Sequence, residues 1–184
     1  MAVHVDVSEL EAGLPEIARA PAREGTVELI VRRPAEGERE VLEEGVLDVR
    51  EGLVGDDWLA RGRQRTPDGS DPDPETQLTL MNARAIALIA GDRERWPLAG
   101  DQLYVDLDLS PENLPTGARL AIGSALVEVT DMPHTGCAKF TERFGPAAIR
   151  FVNSPSGRAR RLRGMYVRVV EPGVVRPGDP IRKL

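Results

Sequence analysis

Short runs of aliphatic and β-branched residues, separated by glycine and proline, restrict the fold of this 184-residue chain more than any other feature. Thr26 to Arg33 and Met165 to Val170 have the length and composition of strands. Arg119 to Ile122 and Ala125 to Thr130 flank Gly123-Ser124, a pair that is typical of a tight hairpin turn. Because aromatic residues make up only 4% of the chain, its core must consist mainly of Val, Leu, Ile and Ala. Many short strands with few helices predict a mainly β fold with α decorations and a β-barrel core.

The predicted organisation is one barrel domain preceded by an extension. Residues 1–26 are expected to form an N-terminal helical extension, where Ser8-Glu9-Leu10-Glu11 has the pattern of a capping box with Ser8 as N-cap. Pro15 is expected to break that helix. Residues 27–184 are assigned to the β-barrel domain. Within it, residues 61–75 contain three prolines, two glycines and no other aliphatic side chain, which predicts a structureless stretch, either a mobile lid or a disordered loop.

Three segments of the barrel domain favour helices. Asn82 to Ala90 is rich in strong helix formers. Ala138 to Phe144 and Pro146 to Val152 predict two short helices separated by Gly145. Leu103 to Leu109, in contrast, alternates apolar and polar residues and predicts a half-buried strand.

Charge and cysteine content exclude several classes of protein. The formal net charge of −6 argues against a nucleic-acid partner, which requires a basic surface. No apolar run approaches the roughly 20 residues that cross a bilayer, and the N-terminus lacks the pattern of a signal peptide. A single cysteine fits a reducing compartment. We therefore expect a cytoplasmic protein without a membrane partner.

Cys137, the only cysteine, follows Pro133-His134-Thr135-Gly136 at the point where strand-like sequence changes to helix-like sequence. A lone thiol forms no internal disulfide, so it either packs as a small hydrophobe or reacts. His134 and Lys139 bring potential positive charge to both flanks, and the N–H groups of a helix that begins here would face the sulfur. Both effects favour the thiolate, which attacks electrophiles and binds soft metals. Cys137 is therefore the candidate catalytic residue and metal ligand.

A basic segment surrounds this cysteine. Met132 to Arg168 contains eight basic residues and one acid, a net charge of +7, so that the remaining segments together carry −13. The segment is either a solvated surface or an electropositive basin that holds an anion beside the thiol. The candidate cofactor-binding residues in it are Lys139, Arg143, Asn153, Ser154, Arg158, Arg160, Arg161 and Arg163.

Each of these candidates has a plainer interpretation. His134, with a reference pKa of about 6.5, either orients or protonates a substrate near neutral pH or is a turn residue. Lys139 and Arg143 share one helix face, which turns either toward the thiol or toward solvent. Asn153 and Ser154 either contact a phosphate or belong to a simple turn.

A turn that contains two adjacent acids, Asp56 and Asp57, offers a second candidate site. Two carboxylates can bind a hard cation, but they do not complete a coordination shell. Trp58, which follows them, either covers a cleft or is one of the few large core residues.

Several segments, in this order, resemble the MOSC domain family, which is named after the C-terminal part of molybdenum cofactor sulfurases. They are Gly52-Leu53-Val54-Gly55-Asp56, Gly100-Asp101-Gln102-Leu103, Leu120-Ala121-Ile122-Gly123, the run from Pro133 to Phe140 and the ending from Arg163 to Asp179. The cysteine stands after a predicted hairpin, as the pattern requires.

The resemblance covers about residues 27–184 and implies a mainly β, barrel-like fold with a cleft at Cys137. In the family this cysteine is associated with carrying sulfur or with ligating molybdenum held by a pterin cofactor. The pterin ends in a phosphate, which an arginine-rich basin suits. Stand-alone bacterial relatives are linked to the reduction of N-hydroxylated bases and amidoximes or to sulfur handling. The pyridoxal-phosphate domain of the sulfurases does not fit within this length, so self-sufficient desulfuration is not expected.

Three functions stay open at this stage. The first is a molybdenum-cofactor-dependent oxidoreductase that acts on a small-molecule substrate, with electrons from a separate donor protein because the sequence has no flavin, NAD or iron–sulfur motif. The second is a sulfur-carrier or cofactor-delivery module served by a separate sulfur donor. The third is a domain that keeps the fold without the chemistry.

Overall fold

Seven strands close into a mixed β-barrel in the computed structural model, which describes residues 4–184. Around the ring the strand order is β1, β11, β7, β8, β9, β5, β6 and back to β1, and only the pairing of β5 with β6 is parallel. The eleven strands are β1 (Glu24–Arg32), β2 (Glu40–Leu42), β3 (Gly45–Asp48), β4 (Gly52–Leu53), β5 (Leu78–Asn82), β6 (Leu103–Asp106), β7 (Arg119–Ile122), β8 (Ala125–Val129), β9 (Met165–Glu171), β10 (Gly173–Val175) and β11 (Pro180–Lys183). Strand β2 extends the sheet beside β1, and β10, β3 and β4 form a separate small sheet.

Helices cover one side of the barrel. The α-helices are α1 (Val7–Ile17), α2 (Trp58–Arg65), α3 (Ala83–Ala90), α4 (Ala138–Asn153) and α5 (Pro155–Ala159), and 3-10 helices span Pro74–Thr76 and Arg93–Ala99. Within residues 4–184, no helix combines the length and the apolar character needed to cross a membrane. The predicted β-barrel with α decorations is confirmed.

The core has two layers of different composition. The barrel interior holds aliphatic residues and methionine, such as Leu80 and Val127, and among the described residues it contains no aromatic side chain. The aromatic residues Tyr104 and Phe140 instead belong to a second layer, between the outer barrel wall and the helices. The predicted aliphatic core therefore corresponds to the barrel interior, where close strand packing favours branched side chains.

Strand β6 shows why a prediction of half-burial was wrong. It is shorter than the predicted run, and Leu103, Tyr104 and Val105 are all fully buried. Leu103 and Val105 face the barrel interior, whereas Tyr104 lies under the helices and donates its hydroxyl to the Trp96 carbonyl at 2.8 Å. Covering both faces of the strand removes the solvent side that alternation predicts.

The N-terminal helix starts earlier and runs further than predicted. Its N-cap is Asp6, whose carboxylate accepts the Glu9 N–H at 2.9 Å while the Glu9 carboxylate accepts the Asp6 N–H at 3.2 Å, so the prediction of Ser8 as N-cap was wrong. Pro15 lies inside α1 and does not break it, because a proline in the last turn removes only one backbone donor. Residues 1–3 of the predicted extension lie outside the described residues.

Two local predictions are confirmed by the backbone. Gly123-Ser124 joins β7 to β8, with Ile122 opposite Ala125. Gly145, at φ 87°, interrupts α4 between the two predicted helical pieces.

The segment 61–75 is more ordered than its composition suggests. Its first residues form the end of α2, and a 3-10 helix spans Pro74–Thr76, so the prediction of a structureless stretch was wrong there. Three contacts hold α2 in place. The Trp58 indole N–H donates to the Thr76 hydroxyl at 3.2 Å, the Arg63 guanidinium binds the Asp71 carboxylate at 2.6 Å, and Pro72 packs against Gly62. The predicted mobility of this segment stays a prediction.

Replacing Gly25 tests the closure of the barrel. In β1, a Cβ atom at Gly25 would lie 1.7 Å from the Asp106 carbonyl oxygen of β6. We expect Gly25→Ala to lower the free energy of unfolding, measured by chemical denaturation, by about 3 kcal/mol because a backbone atom cannot yield. Gly37→Ala is the control, since no atom lies within 4 Å of its Cβ position and only the strain of its φ of +82° remains. Equal losses in the two variants would contradict this account of the clash.

Candidate functional site

A cavity of about 530 Å³ opens at one end of the barrel. This volume lies within the range of roughly 300–1,000 Å³ that is typical of small-molecule and cofactor sites. The walls come from the end of β1, α2, the loop before β6, the beginning of α4 and the beginning of β9. Its chemistry-bearing residues are Arg33, Arg39, Arg61, Arg65, Asp73, Thr79, Gln102, His134, Cys137, Lys139, Arg143, Arg163 and Tyr166.

Cys137 is the N-cap residue of α4 and is exposed at the edge of this cavity. Its carbonyl accepts the Thr141 N–H at 3.1 Å, and its side chain makes no capping hydrogen bond. Gly136 lets the preceding loop lie against α4, because a Cβ atom there would be 2.0 Å from the Ile149 Cδ1 atom. The Gly136 N–H also contacts the Asn153 side-chain oxygen at 3.4 Å. The interpretation of Cys137 as a buried filler is therefore wrong, since the sulfur is accessible.

A buried polar cluster forms the floor of the cavity beside the cysteine loop. Arg163 donates to the Asp101 carboxylate at 2.7 Å and to the Ala99 carbonyl at 3.0 Å, and its guanidinium stacks 4.9 Å above the Phe140 ring. His134 approaches the same carboxylate, with 3.7 Å between the imidazole Nδ1 and Asp101 Oδ1. Its ring packs 4.7 Å from the Tyr166 ring.

Three atoms of this cluster lack a hydrogen-bond partner among residues 4–184, namely Asp101 Oδ1, His134 Nδ1 and Arg163 Nε. Buried polar atoms are paired in most proteins, so three unpaired atoms in one place are unusual. All three are closed off from solvent, and the Asp101 and His134 atoms lie 3.7 Å from each other. Gly164 makes the cluster possible. At its φ of +105°, a Cβ atom would lie 2.5 Å from the Leu80 carbonyl oxygen and 3.2 Å from His134 Nδ1.

Burial, and to a smaller extent the positive charge of Arg163, lower the pKa of His134 from 6.5 to about 3, against the opposing effect of Asp101. The imidazole is therefore neutral at pH 7. The predicted role in protonating a substrate near neutral pH does not fit this pKa, whereas orienting a substrate by hydrogen bonding does.

An ion pair between Arg33 and Asp56 supports the opposite wall. The guanidinium donates twice to the fully buried carboxylate, at 2.9 and 2.7 Å, and once to the Gly100 carbonyl at 3.1 Å. Burial alone would lower the pKa of Arg33, but the hydrogen bond and the charge of Asp56 outweigh it and raise the pKa. Asp56 also accepts the Trp58 N–H at 3.0 Å, so it fixes the start of α2.

These contacts argue against a cation site at Asp56 and Asp57. Asp56 is occupied by Arg33, and Asp57 pairs with Arg61 at 3.3 Å. No group of three or more histidine, cysteine or acidic residues is arranged for a metal ion in the described part of the chain. Trp58 is buried and also lines the cavity, so it is both a large core residue and part of the wall of the cleft.

The cavity is strongly cationic although the chain as a whole is acidic. Seven basic residues and one acid line it, in a protein of net charge −6. Four of the seven pair with carboxylates, namely Arg33, Arg61, Lys139 and Arg163. The other three, Arg39, Arg65 and Arg143, have no carboxylate within 4 Å in the region that the structure describes. Burial and the nearby charges of Arg143 and Arg33 lower the pKa of Arg39, as expected for a cation that lacks an anion.

The structure separates the predicted cofactor-binding residues into two groups. Lys139, Arg143 and Arg163 line the same cavity as Cys137 and His134. Asn153, Arg158 and Arg161 line a second cavity, of about 300 Å³, on the other side of the cysteine loop, and His134 and Arg163 border both.

The two remaining candidates lie outside the cavity of Cys137. Ser154 caps α5, where its hydroxyl accepts the Gly157 N–H at 3.0 Å, which fits the turn interpretation. Arg160 is exposed and borders neither of these cavities.

Four arginines of the cavity were not predicted from the sequence, namely Arg33, Arg39, Arg61 and Arg65. They lie in segments far from Cys137 along the chain. Acidic neighbours in those segments offset their charge, so no basic segment stands out there. One signal was available. Arg61 and Arg65 are four residues apart, the spacing that places two side chains on one helix face.

Comparison with known proteins identifies the family. The family model described as MOSC domain matches residues 74–182. The chain belongs to the MOSC domain family. A search of curated proteins found no match. MOSC domains are associated with molybdenum-cofactor-related proteins.

Solved structures share the fold of this MOSC protein. The crystal structure of the YuaD protein from Bacillus subtilis is similar at 19% sequence identity and a TM-score of 0.63, covering 86% of this chain and 94% of that chain. YiiM from Escherichia coli is similar at 21% identity and a TM-score of 0.55, over 86% and 69% of the two chains. YiiM from Geobacillus stearothermophilus has 15% identity and a TM-score of 0.52, over 87% and 73%.

The neutral state of His134 predicts a pH dependence of stability. In the unfolded chain this histidine takes up a proton below about pH 6.5, whereas the folded protein resists protonation down to about pH 3. The folded state therefore binds fewer protons in this window, and its stability is lost as the pH falls. We expect the free energy of unfolding to drop by about 1–2 kcal/mol more in the wild type than in His134→Gln between pH 6.5 and 5.

Denaturation curves at several pH values measure this difference. His4→Gln, which removes the other of the two histidines, is the control and should keep the wild-type slope. Identical pH slopes for the wild type and His134→Gln would contradict a buried neutral imidazole.

Proposed function

We propose that this MOSC protein binds a molybdenum–pterin cofactor in the 530 Å³ cavity, with the Cys137 thiolate as a ligand of molybdenum, and reduces small N-hydroxylated substrates. The observation that carries the proposal is an exposed sulfur at the edge of a cavity lined by seven basic residues. A thiolate is a soft ligand that suits a thiophilic metal. A cationic cavity suits the phosphate in which the pterin ends.

The residues of the cavity fit such a group. Arg39 and Arg143 donate to the adjacent carbonyls of Pro97 and Leu98, at 3.1 and 2.7 Å, so the two guanidinium groups are held on one wall. Neither has a carboxylate partner among residues 4–184, which leaves both charges available to a phosphate. Arg163 and Tyr166 line the cavity beside Cys137, so they would border the polar edge of a pterin.

This arrangement changes which arginines are assigned to the cofactor. The anchoring role predicted from the sequence falls to Arg158, Arg160, Arg161 and Arg163. In the proposal Arg39 and Arg143 hold the phosphate and Arg163 is a floor residue. Arg161 donates to the carbonyls of Leu109 and Leu114, and this contact supports a structural role.

In the proposed reaction the N–O bond of the substrate breaks. The substrate takes up two electrons and two protons and releases one molecule of water, leaving the reduced nitrogen base. The electrons come from a separate electron-donor protein, and the bound cofactor supplies the redox chemistry. His134, neutral at pH 7, orients the substrate by hydrogen bonding, and the protons enter from solvent through the open mouth of the cavity.

Replacing the cysteine tests metal ligation. We expect wild-type protein, produced in cells that make the cofactor, to contain about one molybdenum per chain by elemental analysis. Cys137→Ser removes the soft ligand and should lose most of this metal. Thr135→Ser is a control on the same loop, where a hydroxyl is kept and no sulfur is changed. Full molybdenum content in Cys137→Ser would exclude thiolate ligation.

The phosphate anchor has its own test. Charge-assisted hydrogen bonds contribute about 1.5–3 kcal/mol each, so Arg39→Gln and Arg143→Gln should each reduce pterin retention about tenfold or more after gel filtration, measured by fluorescence of the released pterin. Arg160→Gln removes the same charge outside both cavities and should retain the pterin. Equal retention in all three variants would contradict the assignment of the anchor.

The exposure of the sulfur also favours a second function, a sulfur carrier that holds a persulfide on Cys137. A thiol at a cavity edge is within reach of a separate sulfur-donor protein, which a buried thiol is not. In this case intact mass spectrometry of protein from its native cell shows the added mass of one sulfur atom, which reductant removes. An unmodified mass under sulfur-replete growth, together with bound molybdenum, would favour the reductase instead.

A further inference from the structure

Helix α2 presents one face to the cavity. Trp58, Arg61, Gly62, Arg65 and Thr66 line it, and their spacing along the helix places them on a single face. Arg63, on the other side, binds Asp71 and does not border the cavity. The helix therefore forms a wall of the site and contributes two arginines to it.

This wall is held by contacts that do not involve its cavity arginines. Asp56 accepts the first N–H of α2, Trp58 donates to Thr76, and Pro72 closes over Gly62, where a Cβ atom would lie 2.3 Å from the Pro72 Cγ atom. The Arg63–Asp71 contact completes the support. Arg61 and Arg65 are thus not required to hold the segment in place.

The charge of the α2 face is only partly compensated. Arg61 pairs with Asp57, whereas Arg65 makes neither an ion pair nor a side-chain hydrogen bond within the described residues. The field of both arginines reaches the cavity rim. The pKa of the exposed Glu36 carboxylate is lowered mainly by Lys139, with further contributions from Arg65 and Arg61. Glu36 therefore lies within electrostatic range of Lys139 and of both arginines of α2.

The α2 face is also distinct from the proposed phosphate anchor. Arg39 and Arg143 are held on the wall formed by the Arg93–Ala99 helix. A single phosphate satisfies that pair, and it leaves Arg65 without an anion and Arg61 with Asp57 alone. The cavity thus has more cationic groups than a single phosphate can neutralise.

We propose that the Arg61–Arg65 face of α2 recognises an oxyanionic group, a carboxylate or a phosphate, on the substrate itself. The inference rests on the proposed function and adds the substrate class to it. Each of these two guanidinium groups carries several N–H donors in its own plane, a geometry that matches the oxygens of a carboxylate or a phosphate. The substrate is accordingly a small N-hydroxylated compound with a negative charge at a distance from the reacting nitrogen.

Matched substrates test this inference in the cofactor-loaded protein. The probes are benzamidoxime, its 4-carboxylate and its 4-phosphate ester, compared by kcat/KM with a chemical electron donor. We expect the wild type to prefer at least one of the anionic compounds at least tenfold, and the preferred compound identifies carboxylate or phosphate. The preference is the kcat/KM for the anionic compound divided by that for benzamidoxime. Arg65→Gln should reduce this ratio about tenfold, and Arg61→Gln/Arg65→Gln should abolish the preference.

Arg63→Gln is the matched control, because it removes an arginine from the same helix outside the cavity and should keep the preference. Circular dichroism confirms that each variant is folded. An anionic preference that is absent in the wild type, or that is unchanged in Arg61→Gln/Arg65→Gln, would overturn the inference.

A binding measurement distinguishes failure of this inference about the α2 arginines from failure of the proposed reductase function. Calorimetry with protein lacking the cofactor uses terephthalate and 4-phosphonooxybenzoate, with terephthalamide as the uncharged reference. We expect at least one of these two anions to bind with an affinity that falls about tenfold in Arg65→Gln and is unchanged in Arg63→Gln. If an anion binds in this pattern but the protein takes up no molybdenum, the anion site stands and the reductase proposal fails. If molybdenum binds and the Arg65 and Arg63 variants are indistinguishable, the reductase proposal stands and this inference fails.

Discussion

The buried ion pair between Asp101 and Arg163 organises the mouth of the barrel. It joins the loop that leads into β6 to the turn that precedes β9, and both side chains are almost fully enclosed. Removing one partner of such a pair commonly costs about 3–5 kcal/mol, because the other charge is left without compensation. His134 contacts the same carboxylate and lies on the loop that ends at Cys137. The position of the cysteine loop therefore depends on this pair, and so does the floor of the cavity.

The arginines of the cavity fall into two groups according to whether they have a carboxylate partner. Arg33 and Arg163, each bound to a buried carboxylate and to a backbone carbonyl, act as fixed supports. Arg39, Arg65 and Arg143 have no carboxylate partner in residues 4–184, so their charge is directed at whatever enters the cavity. An acidic protein that concentrates unpaired cations in one concave region attracts anions there while its outer surface repels them. This contrast in charge favours the binding of anions in the cavity over their binding elsewhere on the surface.

Local sequence predicted the parts of the structure that local forces determine. The hairpin at Gly123-Ser124 and the interruption at Gly145 depend on neighbouring residues, and both were found. The aliphatic barrel core followed from composition. Burial of both faces of β6 depends on helices from other parts of the chain, which no alternation within the strand records. Helix α2 was missed for a similar reason, since it is held by Pro72 and Thr76 and not by an apolar stripe.

The candidate site shows the same limit. Cys137 and His134 were found because their neighbours in the sequence are unusual, but the charges that surround the sulfur come mostly from elsewhere. Of the four arginines predicted to anchor the cofactor, Arg158 and Arg161 line only the second cavity, Arg160 lines neither, and Arg163 borders both. Residues of one stretch of sequence therefore line two different cavities, which lie on the two sides of the cysteine loop. The charge that matters to Cys137 is thus set by barrel closure, which brings β1, α2 and α4 to one mouth, and not by the composition of the segment in which the cysteine lies.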